Sequence, residues 1–360
     1  MSHPTLFSSW KLGRVTLHNR IVMAPMTRNR SPGGVPGPIV AQYYAQRAEA
    51  GLIVTEGVSP SPDGMGYARI PGLYDAAQVA GWKAVTDAVH AAGGHIFVQL
   101  MHTGRSTAAA NLPEGARCVG PSTRPLSQPV WTDSAGQQPA APPHAMTEAD
   151  IEAAIAGYAQ AARNAIAAGF DGVEIHGANG YLVDQFLNTA SNDRTDGWGG
   201  NVAGRARFAL AVTKAVADAI GADRTGIRLS PYGVFNDMAP DADMDALYLH
   251  LAQGLQALGV AYVHLVDHSS MGAPQVPAAL VAGIRATFRG TLVLSGGYDA
   301  DRAETDLVAG RGDLVAFGRP FIANPRLPSK FRAGSTLRAP DFATFYTPGE
   351  AGYTDYPLDT

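Results

Sequence analysis

Short apolar runs alternate with amphipathic segments along nearly the whole chain. The runs Arg20–Pro25, Leu52–Gly57, His95–Leu100, Gly172–His176, Gly226–Ser230, Tyr262–Val266, Leu292–Gly296 and Leu314–Gly318 have strand length and are close to continuously apolar. Between them, apolar residues recur at helical spacing near Val40–Ala50, Ala76–Ala92, Thr147–Ala168, Ala203–Ile220, Asp243–Leu258, Pro277–Phe288 and Ala300–Ala309, and a short helical segment fits Pro328–Phe331. Apolar strands separated by helices imply parallel pairing with both faces buried. Eight such units predict an α/β fold, a single (β/α)8 TIM barrel over residues 1–360. The alternative is an open doubly wound sheet, which calls for a glycine-rich dinucleotide turn after its first strand. Here Pro25 is followed by Met-Thr-Arg-Asn-Arg.

Two segments depart from the repeat. Residues 101–146 form a long Pro- and Gly-rich insertion after the third strand, of the kind that caps or covers a site. The segment Ala339–Thr360 carries Phe342, Phe345, Tyr346, Tyr353 and Tyr356, too many aromatic residues for a disordered tail, and is expected to dock.

Charge and cysteine usage narrow the function. The net charge is −4 and no run of Lys or Arg stands out, so nucleic acid is not an expected partner. The one cysteine, Cys118, leaves no means of building a disulfide framework, a Cys-based zinc site or a Cys-ligated iron–sulfur cluster within this chain. Met1 to Arg14 carries no basic stretch followed by an apolar one, and no apolar run is long enough to span a membrane. A cytoplasmic protein, monomeric or homodimeric, is the expectation.

In a (β/α)8 barrel the active site lies at the C-terminal ends of the strands. Strand four runs into His-Gly-Ala-Asn-Gly-Tyr, which presents His176, Asn179 and Tyr181 in a glycine-spaced turn. The first two can donate to one oxygen atom and the third can deliver a proton nearby. That equipment polarises a carbonyl and protonates the carbon beside it. Ser295-Gly296-Gly297 after strand seven and Gly318-Arg319 after strand eight stand where barrels commonly hold a phosphate. Glycines let backbone N–H groups approach the oxygens, and Arg319 adds a bidentate charge; tight turns and a surface ion pair are the plainer alternative. Gln99 and Arg228 are polar groups at the ends of apolar strands and need partners. A planar heterocycle rich in carbonyl groups would serve both, as would an internal pairing of Arg228 with Glu56 or Glu174. His264 and His268 bracket the end of strand six, and His90, His95 and His102 surround strand three, but without an HxH, an HExxH or a carboxylate cluster no metal is expected.

Several motifs together carry a family resemblance. Asn-Arg-Ile-Val-Met-Ala-Pro-Met-Thr-Arg at 19–28, Ala-Gly-Leu-Ile-Val-Thr-Glu-Gly at 50–57, His-Gly-Ala-Asn-Gly-Tyr-Leu at 176–182, Asn-Asp-Arg-Thr-Asp-Gly-Trp-Gly-Gly at 192–200, Ala-Phe-Gly-Arg at 316–319 and Gly-Tyr-Thr-Asp-Tyr-Pro at 352–357 resemble, in order and spacing, the Old Yellow Enzyme family. These are FMN-dependent ene-reductases on a (β/α)8 barrel. The resemblance implies non-covalent FMN, NADPH or NADH as reductant, and small activated alkenes as substrates: enones, enals, maleimides and nitroalkenes. It places Ala24, Pro25, Met26 and Thr27 along the flavin, and Thr27 aligns the chain with the threonine branch rather than the cysteine branch. Gly57, Gln99 and Arg228 would contact the isoalloxazine, and Ser295, Gly296, Gly297, Gly318 and Arg319 would bind at the phosphate end. His176 and Asn179 would hold the substrate oxygen, Tyr181 would donate the proton, and Tyr67, Met101 and Tyr346 would line the substrate channel. Met101 stands where many of the family carry a tryptophan, which reshapes that channel.

A barrel lyase or isomerase would share the two glycine loops, with Glu56 as its one strand-end carboxylate. A non-catalytic flavin carrier would share the binding residues. Both stay open on the residues alone.

Overall fold

The computed structural model describes residues 3–359; Met1, Ser2 and Thr360 lie outside the described residues. Eight parallel strands close into a barrel: β1 (Ile21–Met23), β2 (Leu52–Val58), β3 (Ile96–Leu100), β4 (Gly172–Gly177), β5 (Thr225–Leu229), β6 (Tyr262–Val266), β7 (Thr291–Ser295) and β8 (Leu314–Phe317), with β8 paired to β1. The helices are α1 (Pro38–Ala45), α2 (Ala76–Ala91), α3 (Glu148–Ala167), α4 (Leu182–Leu187), α5 (Val202–Ile220), α6 (Met244–Leu258), α7 (Ala278–Thr287), α8 (Ala300–Val308), α9 (Arg319–Ala323) and α10 (Leu327–Ala333). The polar residues before several helices act as caps. Asp75 and Thr147 form capping boxes with Gln78 and Asp150, and Asn201 and Asp299 accept the first free N–H groups of α5 and α8. No helix among the described residues is long and apolar enough to cross a membrane.

Two elements are absent from the sequence reading. A short antiparallel hairpin, Trp10–Leu12 with Val15–Leu17, sets Leu12 and Leu17 against Val22, Leu52, Val54, Phe97, Tyr262, Val293 and Leu314. Three-residue strands carry too little pattern to be recognised alone. The helices α4 and α9 are equally short.

Alternation along the strands sorts the interior into layers. Phe97 and Tyr262 fill the lower barrel, their rings 5.9 Å apart, and the facing positions Gly172 and Gly226 have no Cβ because those rings occupy its place. One step higher the inward positions turn polar: Gln99 stands in register with Glu174, and Arg228 with His264, on neighbouring strands. Burying four such groups requires a network, and most of it is internal. Glu174 accepts from Gln99 Nε2 (2.8 Å), Tyr262 Oη (3.0 Å) and His264 Nδ1 (2.9 Å). Burial works against the ionised Glu174, yet His264 and Arg228 beside it hold its carboxyl below the usual range.

A bulge in β2 between Val54 and Gly57 removes Glu56 from this layer. The Glu56 carboxylate accepts from the Arg28 N–H instead, and its own N–H donates to Tyr44 Oη. Burial pushes its carboxyl up to about 7. Glu56 therefore serves neither as the partner of Arg228 nor as a base at the barrel mouth.

The insertion at 101–146 contains a hairpin, Val130–Thr132 with Gly136–Gln138, and a parallel pair, Val119–Gly120 with His144–Ala145, and it bonds to neighbouring loops through Arg105 to Asn236 O and Arg124 to Thr189 O. The tail docks by an arginine-and-tyrosine lock. Arg28 donates to Phe345 O and Gly352 O, Arg30 to Thr344 O and Ala351 O, and Arg47 to Tyr353 O. Tyr353 is fully buried, while Phe342 and Tyr346 stay exposed.

Candidate active site

A cavity of about 630 Å³ opens at the C-terminal end of the barrel. Its walls come from several of the regions the motifs single out. Ala24, Pro25, Met26 and Thr27 follow β1; Gln99 and Arg228 rise from the polar layer; Ser295, Gly296 and Gly297 follow β7; Gly318 and Arg319 follow β8; His176, Asn179 and Tyr181 follow β4; Tyr346 comes from the tail. Three expected residues stand behind the wall. Gly57 packs directly against the Met101 side chain, and Met101 and Tyr67 form a small cluster with Met65, Ile70 and Tyr74 at the back of Tyr181.

The β4 turn places its three side chains with unequal freedom. Asn179 has a left-handed backbone, φ 61°, which asparagine tolerates better than most residues. Its N–H donates to Ser230 Oγ at 3.0 Å, its carbonyl accepts from Asn236 Nδ2 at 2.7 Å, and its Oδ1 lies 2.6 Å from His268 Nε2. The amide Nδ2 alone is left for a ligand.

His176 stands edge-on to Tyr181, ring centroids 4.9 Å apart. Burial, reinforced by Arg228, keeps its imidazole well below the usual range, so the ring is neutral. Its Nδ1 is buried with no partner among the described residues, which leaves Nε2 as the nitrogen open to a ligand. Tyr181 begins α4, held by the Leu182 N–H to His102 O bond (3.0 Å) and by an edge contact with Tyr67 (5.9 Å). Burial, then Tyr67, raises its phenol well above the ordinary value, so it stays protonated.

The rest of the cavity fits a flat anionic heterocycle with a phosphate. Arg228 is 6 % exposed, and its Nε has no hydrogen-bond partner among the described residues. Such an atom calls for a carbonyl or ring-nitrogen acceptor in the cavity. Gly296 and Gly297 spend neither N–H on the chain. Arg319 forms no ion pair among the described residues; its guanidinium rests near Met271 and the Phe342 ring, free to meet a phosphate.

Sequence reading missed the second ring of residues. Ser230, Asn236 and His268 come from the loops after β5 and β6, whose sequences carry no glycine pair or motif. His268 is visible only as one histidine near a strand end. Among the described residues His264 bonds Glu174 and Ser295, His268 bonds Asn179, and His90 bonds Asp171.

Residues 5–338 match the model of the NADH:flavin oxidoreductase / NADH oxidase family. The chain belongs to that family. It is accordingly an NAD(P)H-dependent flavin oxidoreductase that uses FMN. Curated relatives include the chanoclavine-I aldehyde reductase of Penicillium roqueforti, 47% identical over 363 residues, covering 98% of this chain and 95% of the relative. A probable flavin mononucleotide-dependent alkene reductase of Leishmania infantum is 42% identical over 352 residues, covering 96% and 95%. Among solved structures, morphinone reductase superposes with a TM-score of 0.95 at 43% identity, covering 99% of this chain and 96% of that one.

Proposed function

We propose that the protein reduces the C=C bond of alkenes activated by a ketone, aldehyde, imide or nitro group. The observation that carries this reading is the donor pair. Asn179 has spent every polar atom but its amide Nδ2, and the neutral His176 beside it would donate from Nε2, the ring nitrogen open to the cavity. Two neutral donors converging on one oxygen stabilise the negative charge that builds there when the conjugated carbon is attacked.

Arg228, with Gln99 near it, would meet the electron-rich side of the flavin ring, and Gly296, Gly297, Gly318 and Arg319 would hold the phosphate. FMN held there would supply the hydride chemistry, with the reduced nicotinamide as the source of electrons. His176 and Asn179 orient the activating group so that the double bond lies over the ring. Tyr181, protonated because it is buried, gives its proton to the α-carbon. The phenol is a weak acid in this setting, suited to a carbon that has become basic. Tyr67 stands edge-on to Tyr181 with the two hydroxyls hydrogen-bonded, and Met101 packs beside them.

The test is phenol binding to the FMN-loaded protein. A phenolate oxygen imitates the charge that the donor pair is built to receive. Wild type should bind 4-hydroxybenzaldehyde with a long-wavelength charge-transfer band. His176→Ala with Asn179→Ala should lose the band and at least about tenfold in affinity. A double variant that keeps both would move the oxygen site elsewhere and overturn the reading.

A further inference from the structure

We propose that His268 is the positioning residue that sets the direction of the Asn179 carboxamide, so that its N–H2 rather than its carbonyl faces the substrate oxygen. This rests on the reading of Asn179 as an oxygen-holding donor.

A carboxamide can turn either end to its ligand, and only one end suits an oxygen that gains negative charge. Nothing in the β4 turn makes that choice, because the bonds from Ser230 and Asn236 hold only the Asn179 backbone. The choice falls to the 2.6 Å contact between Asn179 Oδ1 and His268 Nε2. An amide oxygen can only accept, so this contact puts the ring proton on His268 Nε2 and leaves the buried Nδ1 as an acceptor with no partner among the described residues. His268 therefore donates, Asn179 Oδ1 accepts, and Nδ2 is turned toward the cavity. Burial, then Arg228, lowers His268 to about 4, so the ring remains a neutral donor and brings no charge to the site.

His268 is placed as firmly as the residue it serves. It follows β6 after Asp267, whose N–H donates to Ser295 O at 2.9 Å. Gly296, with φ 121°, leaves the Asp267 carbonyl the space that a Cβ would take. The loop is therefore pressed against β7, and the His268 ring is held edge-on to Phe235 at 4.7 Å. Gly296 thus helps to seat the loop that orients the oxygen donor.

A double-mutant cycle tests this on the FMN-loaded protein, with 4-hydroxybenzaldehyde affinity as the readout. His268→Phe, which keeps a ring but removes the donor, should weaken binding about tenfold in the wild-type background. In an Asn179→Ala background the same change should matter less than about twofold, since there is no amide left to orient. His268→Gln, which restores an N–H donor, should recover most of the affinity. His268→Leu is measured in parallel in case the Phe variant does not fold. An equal loss in both backgrounds would show that His268 acts on its own and would overturn the inference. No loss in Asn179→Ala alone would instead overturn the role of Asn179, a distinct failure.

Discussion

Tyr353 lies flat on Tyr43, ring centroids 4.0 Å apart and planes 10° from parallel, and this stack pins the tail to α1. Arg47 covers the Tyr43 ring from 3.8 Å, so the tail closes a pile of rings and guanidinium groups. Tyr353→Ala should cost about 3–5 kcal/mol, measured by denaturant unfolding, because a fully buried ring leaves a cavity. Tyr353→Phe should cost nothing or stabilise slightly, because the buried Tyr353 hydroxyl has no hydrogen-bond partner. A clear destabilisation by the Phe variant would mean that the hydroxyl is satisfied after all.

Arg319→Ala should weaken FMN retention while leaving turnover at saturating FMN nearly intact. A charge-assisted bond to phosphate contributes about 1.5–3 kcal/mol, roughly ten- to a hundredfold in affinity. Fluorescence titration of the apoprotein with FMN measures it, and an unchanged Kd would remove Arg319 from the phosphate site.

Tyr181→Phe should separate the half-reactions. Reduction by the nicotinamide needs no proton from a phenol, so its stopped-flow rate should hold within about twofold. Reduction of cyclohexenone should fall about 10²–10⁴-fold with loss of the general acid. A nitroalkene, whose anion is stable enough to take its proton from water, should suffer less. Equal, small effects on both substrates would assign the proton to another donor.

Acid should destabilise the fold through His102. This buried imidazole accepts the Gly104 N–H at its Nδ1 (3.1 Å), and burial lowers it to about 4. The unfolded chain binds this proton below about pH 6.5 and the folded one only below about 4, so stability is full above pH 6.5 and falls as pH drops between those values. The loss from this group is about 3 kcal/mol. His102→Asn, which keeps an acceptor without a titration, should flatten that acid limb in unfolding measured from pH 7 to pH 4. A limb of unchanged slope would assign the acid sensitivity to other groups.

The eight strands are legible in the chain because both faces of a barrel strand are buried, which leaves compact apolar runs between helical patterns. The cavity wall is legible because its residues sit at strand ends, where one polar side chain after an apolar run stands out: Gln99, His176, Arg228, Arg319. Local order in sequence is enough for these, since each strand delivers its own last residue to the same face. The fate of Glu56 was not legible. A single extra residue in β2 sends it under the tail, and only the pairing with β3 reveals the bulge. The residues that hold Asn179 were hidden for the same reason. Ser230, Asn236 and His268 lie 51, 57 and 89 positions away from it, on two other loops. The sequence by itself determined the barrel and which side chains reach its mouth, because period and position along a strand are local properties. The tertiary structure decided which way those side chains face and in what protonation state, because hydrogen-bond direction and burial depend on neighbours that only the closed barrel brings together.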